Sequence, residues 1–125
     1  MSKKIIATEN APAAIGPYSQ AVQYGDTIYV SGQIPLHPET KKMDDDVKAQ
    51  TRQSMENIKA ILKEAGSSME KIIRCGIFVT DLGDFATVNE VYASFFTGDY
   101  PARATVQVAA LPLGAKVEID AIAAA

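Results

Sequence analysis

Two spacings of hydrophobic positions run along this chain, and the changes from one to the other divide it into elements. Small or apolar residues at Val47, Thr51, Ser54, Ile58, Ile61, Leu62 and Ala65 step by three and four, which predicts a helix over 44–65 with this face inward. Asp44, Asp45 and Asp46 supply an N-cap and suit the positive end of the helix dipole, and Gly66 is placed to end it. A second stripe, Phe85, Val88, Tyr92 and Phe95, predicts a helix from a cap at Asp84 through Phe96. Elsewhere the period is two. Over 71–81, Ile73, Cys75, Ile77 and Val79 fall on one face and Ile72, Arg74, Gly76 and Phe78 on the other. From Pro101, Ala104, Val106, Val108 and Ala110 alternate with Arg103, Thr105, Gln107 and Ala109. Over 116–123, Val117, Ile119, Ala121 and Ala123 alternate with Lys116, Glu118, Asp120 and Ile122. Near the N-terminus, Ala21–Tyr24 and Thr27–Ser31 flank Gly25-Asp26, a pair suited to a two-residue primed turn, so they read as a hairpin. Ile5 and Ile6 suggest a short strand over 3–8.

The predicted order is β-β-β-α-β-α-β-β. Its two helices can act as crossovers on one face of a mixed sheet, giving an α+β domain. The strand over 71–81 is apolar on both faces. The sheet face without helices is therefore expected to be covered, and with only two helices available the natural cover is a second chain. An oligomer with sheets packed against one another follows as an expectation.

At 125 residues the chain suits a single domain spanning 1–125. Its net charge is -3 with acidic and basic residues interspersed, so no basic stripe favours a nucleic-acid partner. No apolar run approaches the ~20 residues of a membrane span. Met1 to Ala7 begins like a signal peptide, but Thr8-Glu9-Asn10 interrupts it, so a cytoplasmic protein is expected. Cys75 is the single cysteine, which excludes an intramolecular disulfide and a Cys-rich metal site.

Several residues carry candidate chemistry. Arg103 opens a strand between Ala102 and Ala104. Its planar fork matches a carboxylate, although a surface position or an ordinary ion pair would also account for it. Gly16-Pro17 forms a rigid connector that presents Tyr18, either to the core edge or to a ligand. Ser31-Gly32-Gln33 ends a strand, as a simple terminator or where a ligand comes close. Asn89 sits inside the second helical stripe, so its amide must find partners, which are backbone groups or a substrate. His37 reads as a solvated loop residue and Asp44-Asp45-Asp46 as a charged helix start without a metal. Cys75 reads as a packed thiol. If the last two strands paired as a hairpin around Pro112–Ala115, Arg103 and Glu118 would be offset by about six residues, or ~20 Å. They could then share no small ligand. Either the two strands are not neighbours or the two residues meet across a subunit boundary.

The run from Pro101-Ala102-Arg103-Ala104-Thr105-Val106-Gln107-Val108 to Pro112, with Val117-Glu118-Ile119, closely resembles the signature of the RidA family of reactive intermediate/imine deaminases, also called the YjgF family. Ile15-Gly16-Pro17-Tyr18-Ser19-Gln20-Ala21, Ser31-Gly32-Gln33-Ile34-Pro35 and Asp84-Phe85-Ala86-Thr87-Val88-Asn89 resemble its other motifs, in the family's order. The resemblance implies a chorismate-mutase-like fold: a six-stranded mixed sheet with two helices on one face, in a homotrimer whose sheets form a central barrel with clefts between subunits. It also implies hydrolysis of the enamine/imine acids 2-aminoacrylate and 2-aminocrotonate to 2-oxo acids and ammonia.

On that resemblance, Arg103 binds the substrate carboxylate and Glu118 holds and polarises the attacking water. Tyr18, Ser31, Gly32, Asn89 and Thr105 line the cleft. Thr105 stands where many family members have a cysteine; hydrolysis by water needs no thiol, so activity is expected to survive the change. No metal or organic cofactor is implied. The competing readings are a sensor that binds small carboxylates without catalysis, an endoribonuclease that inhibits translation, and a chaperone-like role for an apolar surface. The acidic net charge argues against tight RNA binding, and a sensor has no need of a base such as Glu118.

Overall fold

The computed structural model describes residues 2–125, so Met1, the first residue of the stretch compared with a signal peptide, lies outside the described residues. In chain order the elements are β1 (Lys4–Ile6), β2 (Ala21–Tyr24), β3 (Thr27–Gln33), α1 (Val47–Glu64), β4 (Ile72–Val79), α2 (Phe85–Ala93), β5 (Ala102–Gln107) and β6 (Val117–Ala124). The β-β-β-α-β-α-β-β order is the predicted one. The strands form one mixed sheet in the order β1-β2-β3-β6-β4-β5, in which only β4 and β5 are parallel. A parallel pair needs a crossover, and α2 supplies it. β4 separates β5 from β6, so the last two strands are not a hairpin.

Apart from the exposed Phe85, the helix stripes do what their spacing predicts, although α2 ends at Ala93 rather than Phe96. Met55, Ile58, Ile61 and Leu62 of α1 and Val88 and Tyr92 of α2 pack on Ile28, Val30, Ile77, Val79, Val117 and Ile119 of the sheet. Burying each such aliphatic side chain contributes roughly 1.5–3 kcal/mol. α1 begins where Asp46 Oδ1 accepts the Ala49 N–H at 2.7 Å and ends at Gly66, whose φ of 80° only glycine adopts cheaply. The buried amide of Gln50 donates to the Asp44 carbonyl and accepts the Lys116 N–H, both at 2.8 Å, tying the start of α1 to the start of β6. Tyr24 pairs with Thr27 across Gly25-Asp26, and Gly25 takes φ 60°, as a primed turn requires.

Three expectations are corrected. First, the register between β4 and β6 slips between Ile72 and Arg74. Ile72 is therefore buried with Cys75, Ile77 and Val79, while Ile73 is 53% exposed. Second, Asp84 makes no side-chain cap. Asp81 Oδ1 accepts the Gly83 N–H at 2.8 Å in the short 3-10 turn before α2. Third, β5 stops at Gln107 rather than running on to Ala110, and its apolar residues Ala104 and Val106 are exposed while Arg103 and Thr105 are half-buried. The register explains the last point. Arg103 lies beside Cys75 and Thr105 beside Ile77, on the side covered by helices.

The other side of the sheet carries no helix. Along β6 the burial alternates, with Val117, Ile119, Ala121 and Ala123 buried and Glu118, Asp120, Ile122 and Ala124 half-buried. Ile5, Tyr24, Tyr29 and Val106 on the uncovered side are each about half exposed. No helix among the described residues is long and apolar enough to cross a membrane.

Candidate active site

The predicted site residues fall into two groups on opposite sides of the sheet. On the helix side, Arg103, Asn89, Tyr92, Ala93, Tyr100 and Pro101 line a recess of about 370 Å³. β5 delivers Arg103 there, and α2 delivers Asn89 and Tyr92. The Arg103 guanidinium carbon lies 5.6 Å from the centre of the Phe85 ring and 5.1 Å from that of Tyr92. Among the described residues no carboxylate comes within 4.0 Å of it. Asn89 Oδ1 and Thr105 Oγ1 are buried and meet no hydrogen-bond partner. Buried acceptors of this kind cost free energy unless something supplies a donor. The backbone partners considered for Asn89 are thus not found for its carbonyl oxygen.

On the uncovered side, Glu118 lines a second recess of about 320 Å³ with Tyr18, Ser31, Gly32, Ile34 and Pro112. Gln20, buried two residues after Tyr18, anchors the loop that carries Tyr18. Its Oε1 accepts the Thr8 N–H at 2.7 Å and its Nε2 donates to the carbonyls of Thr8 and Pro12, which fastens the N-terminal loop. Ser31 Oγ donates to the Ser19 carbonyl at 2.6 Å, and the Ile15 N–H donates to the Tyr18 hydroxyl at 3.3 Å. Tyr18 itself is half exposed, so its ring is not a core-edge filler. Gly32 lies within the irregularity between Val30 and Gln33 of β3, directly under Glu118. A Cβ there would be 2.9 Å from the Glu118 carboxyl carbon and would collide with Oε1. The absence of a side chain at residue 32 is what lets Glu118 lie across the strand.

Burial raises the Glu118 pKa, and the neighbouring Asp120 raises it further. Asp120 is the next residue on the same face, and its Oδ1 accepts the Gly76 N–H at 2.8 Å. Glu118 is therefore a carboxylate whose proton affinity is lifted toward the range useful for acid–base work. Cys75 is different. Burial pushes its thiol up to about 11, so it stays protonated at neutral pH, in keeping with a packed thiol. His37 Nε2 lies 3.1 Å from Asp44 Oδ2 in an exposed loop, away from both recesses. Among the described residues no group of three or more His, Cys, Asp or Glu could hold a metal ion.

Arg103 and Glu118 point away from each other. Cys75 of β4 is in register with Arg103 on one side and Ala121 on the other, and all three belong to the helix face. Glu118 is in register with Phe78, on the opposite face. Phe85, Tyr92 and Asp120 border the candidate site but escaped the sequence reading. Phe85 reads as a core residue but is 41% exposed against Arg103. Asp120 is an unremarked alternate of Glu118. The signal for Phe85 was present, because Phe85, Asn89 and Tyr92 share one stripe of α2. A larger recess of about 540 Å³ lies elsewhere, among Arg52, Lys59, Lys63 and neighbours, and holds none of the buried, unpartnered polar atoms found among the described residues.

Comparison with known proteins places this geometry. The model of a family described as Endoribonuclease L-PSP matches residues 8–125. Protein DfrA of Myxococcus xanthus is 60% identical over 126 residues, covering 98% of this chain and 96% of that protein. The 2-iminobutanoate/2-iminopropanoate deaminase of Escherichia coli K12 is 54% identical over 123 residues, covering 96% of each chain. The crystal structure of E. coli TdcF with bound serine superposes with a TM-score of 0.95 at 52% identity, covering 98% of both chains.

Proposed function

The chain belongs to the Endoribonuclease L-PSP family, the RidA (YjgF) family of the sequence motifs, and we propose on this footing that it is a 2-iminobutanoate/2-iminopropanoate deaminase. Its substrates are small 2-imino acids and their enamine tautomers, and its products are the 2-oxo acid and ammonia. The observation that carries this reading is the half-buried Arg103 guanidinium, which has no carboxylate partner among the described residues and shares its recess with the Asn89 carbonyl, unpartnered among the same residues. That combination calls for a small anion bearing a donor, which describes a 2-imino acid.

Arg103 binds the substrate carboxylate with two parallel hydrogen bonds and fixes the C=N carbon. Glu118 holds a water and takes its proton as the oxygen adds to that carbon. The carbinolamine then collapses. Water adds to the iminium form, so the nitrogen is left neutral; the proton on Glu118 passes to that nitrogen, the C–N bond breaks, ammonia leaves, and the C=O bond forms as the hydroxyl proton returns to Glu118 and then passes to ammonia. Tyr18, Ser31 and Gly32 wall the Glu118 side; Asn89 and Thr105 wall the Arg103 side.

In this reading the working unit is a homotrimer. The opposite orientation of Arg103 and Glu118 supports it, since one chain cannot close both around one small molecule. The exposed Ile5, Tyr24, Tyr29 and Val106 on the uncovered sheet face support it as well. Three sheets packed into a central barrel would cover that face and bring the Arg103 recess of one subunit to the Glu118 recess of the next. The family description names a nuclease, but relatives at 53–54% identity are named as deaminases, which favours imine hydrolysis. The test is direct. A pyridoxal-phosphate-dependent dehydratase is given threonine, and 2-oxobutyrate is followed with and without this protein. Acceleration supports the deaminase; an unchanged rate overturns it.

A further inference from the structure

The contacts around Arg103 lead to residues outside the predicted catalytic set. Phe85 and Tyr92 are seven apart on α2, two helical turns, and so lie on one face about 10.5 Å apart along the axis. The guanidinium carbon is 5.6 Å from one ring centre and 5.1 Å from the other. It therefore lies within reach of both rings, in the recess that Asn89 of the same stripe also lines. Both distances are within cation–π range. Phe85 is an odd residue to leave 41% exposed at the first position of a helix, unless its ring has another task.

We propose that Phe85 and Tyr92 form an aromatic clamp that positions the Arg103 guanidinium without neutralising it. The proposal rests on the functional reading above and adds two positioning residues to it. A carboxylate partner would hold an arginine more firmly, but it would occupy the N–H fork and oppose a second carboxylate. Ring faces attract the cation through their quadrupole and leave the in-plane N–H groups free. The clamp thus restricts the side chain before substrate arrives, so less conformational entropy is lost on binding. Tyr92 is buried and forms the fixed jaw; Phe85 is at the surface and forms the outer one. The Tyr92 hydroxyl lies toward the Cys75 thiol and makes no hydrogen bond to Arg103 among the described residues, so its ring rather than its oxygen does the holding.

The test compares Phe85→Leu, which keeps apolar bulk but removes the ring, with Phe85→Tyr, which restores it, and with Tyr92→Phe. Two readouts are used: steady-state kinetics in the dehydratase-coupled assay, and the order parameter of the Arg103 Nε–Hε group by ¹⁵N relaxation. Phe85→Leu is expected to raise KM about threefold to tenfold, with kcat within about twofold, and to lower the order parameter. Phe85→Tyr and Tyr92→Phe are expected to match the wild type in both. Unchanged order in Phe85→Leu overturns the clamp, as does equal impairment of Phe85→Leu and Phe85→Tyr, which would mark a purely packing role. If the wild-type protein shows no deaminase activity, the functional reading fails on its own. The order parameter still decides the clamp.

Discussion

Arg103 and Glu118 stand on opposite faces of one sheet, on strands separated by β4. The first faces the helices between two aromatic rings; the second faces the uncovered side across Gly32. A mechanism that needs both residues must bring two copies of the chain together.

If Arg103 binds the substrate carboxylate as proposed, replacing it by Ala removes two charge-assisted hydrogen bonds, each worth roughly 1.5 kcal/mol or more. kcat/KM should fall by about 100-fold or more. Because Arg103 makes no ion pair among the described residues, the fold and oligomeric mass should be unchanged. Arg103→Lys should recover little, since an ammonium lacks the planar fork. Steady-state kinetics with size-exclusion chromatography of each variant provide the check.

Gly32→Ala should separate activity from stability. The new Cβ collides with the Glu118 carboxylate, the movable end of a flexible side chain. The carboxylate can swing aside at a cost within about 1 kcal/mol of stability. A general base moved by an ångström is a poor one, however, and kcat should drop at least about tenfold. Thermal unfolding measured beside kcat distinguishes the two effects.

The pH dependence follows from Glu118. Its pKa is raised in the folded chain by burial and then by Asp120. Acting as a base, it must be ionised, so the acid limb of kcat/KM should lie above that of an ordinary glutamate. Asp120→Asn removes the like charge and should move this limb to lower pH. The same shift affects stability with a definite sign. Between the ordinary value of 4.5 and the raised folded value, the folded chain binds more protons than the unfolded one. Stability therefore falls as pH rises through that window. Glu118→Gln should abolish most turnover yet be somewhat more stable than the wild type at neutral pH, which denaturant titration at two pH values would reveal.

Thr105 Oγ1 is buried without a partner on the Arg103 face. Thr105→Val keeps the shape and removes the hydroxyl. It should leave stability equal or slightly higher and, by losing one hydrogen bond of about 1 kcal/mol to substrate, raise KM roughly fivefold. Thr105→Cys should stay close to the wild type.

The sequence disclosed the elements more readily than their arrangement. Periods of 3.6 and 2 report which residues share a face, so α1, α2 and the alternation of β6 were legible. Periodicity does not report a slipped register, so the exposure of Ile73 in place of Ile72 was hidden. Nor does it say which face of an edge strand lies under helices. On β5 the polar set, Arg103 and Thr105, turned out to be the covered one, because the helices there guard a recess rather than a core. The order β3-β6-β4-β5 is a long-range pairing that no local pattern encodes. At the site, Tyr18, Ser31, Gly32 and Glu118 were named through motifs and do share a recess. Phe85 was not named, because a phenylalanine in an apolar stripe reads as core until its contact with Arg103 is seen.

Subunit complementation tests the central claim most directly. Arg103→Ala and Glu118→Gln chains are each expected to be nearly inactive. They are co-expressed, and hybrid trimers are verified by native mass spectrometry. If each cleft takes Arg103 from one subunit and Glu118 from its neighbour, every hybrid trimer holds one intact cleft of three. Random mixing makes about three-quarters of trimers hybrid, so about a quarter of wild-type activity should return. Verified hybrids no more active than their parents would contradict the account, because they would place both residues' function within a single chain.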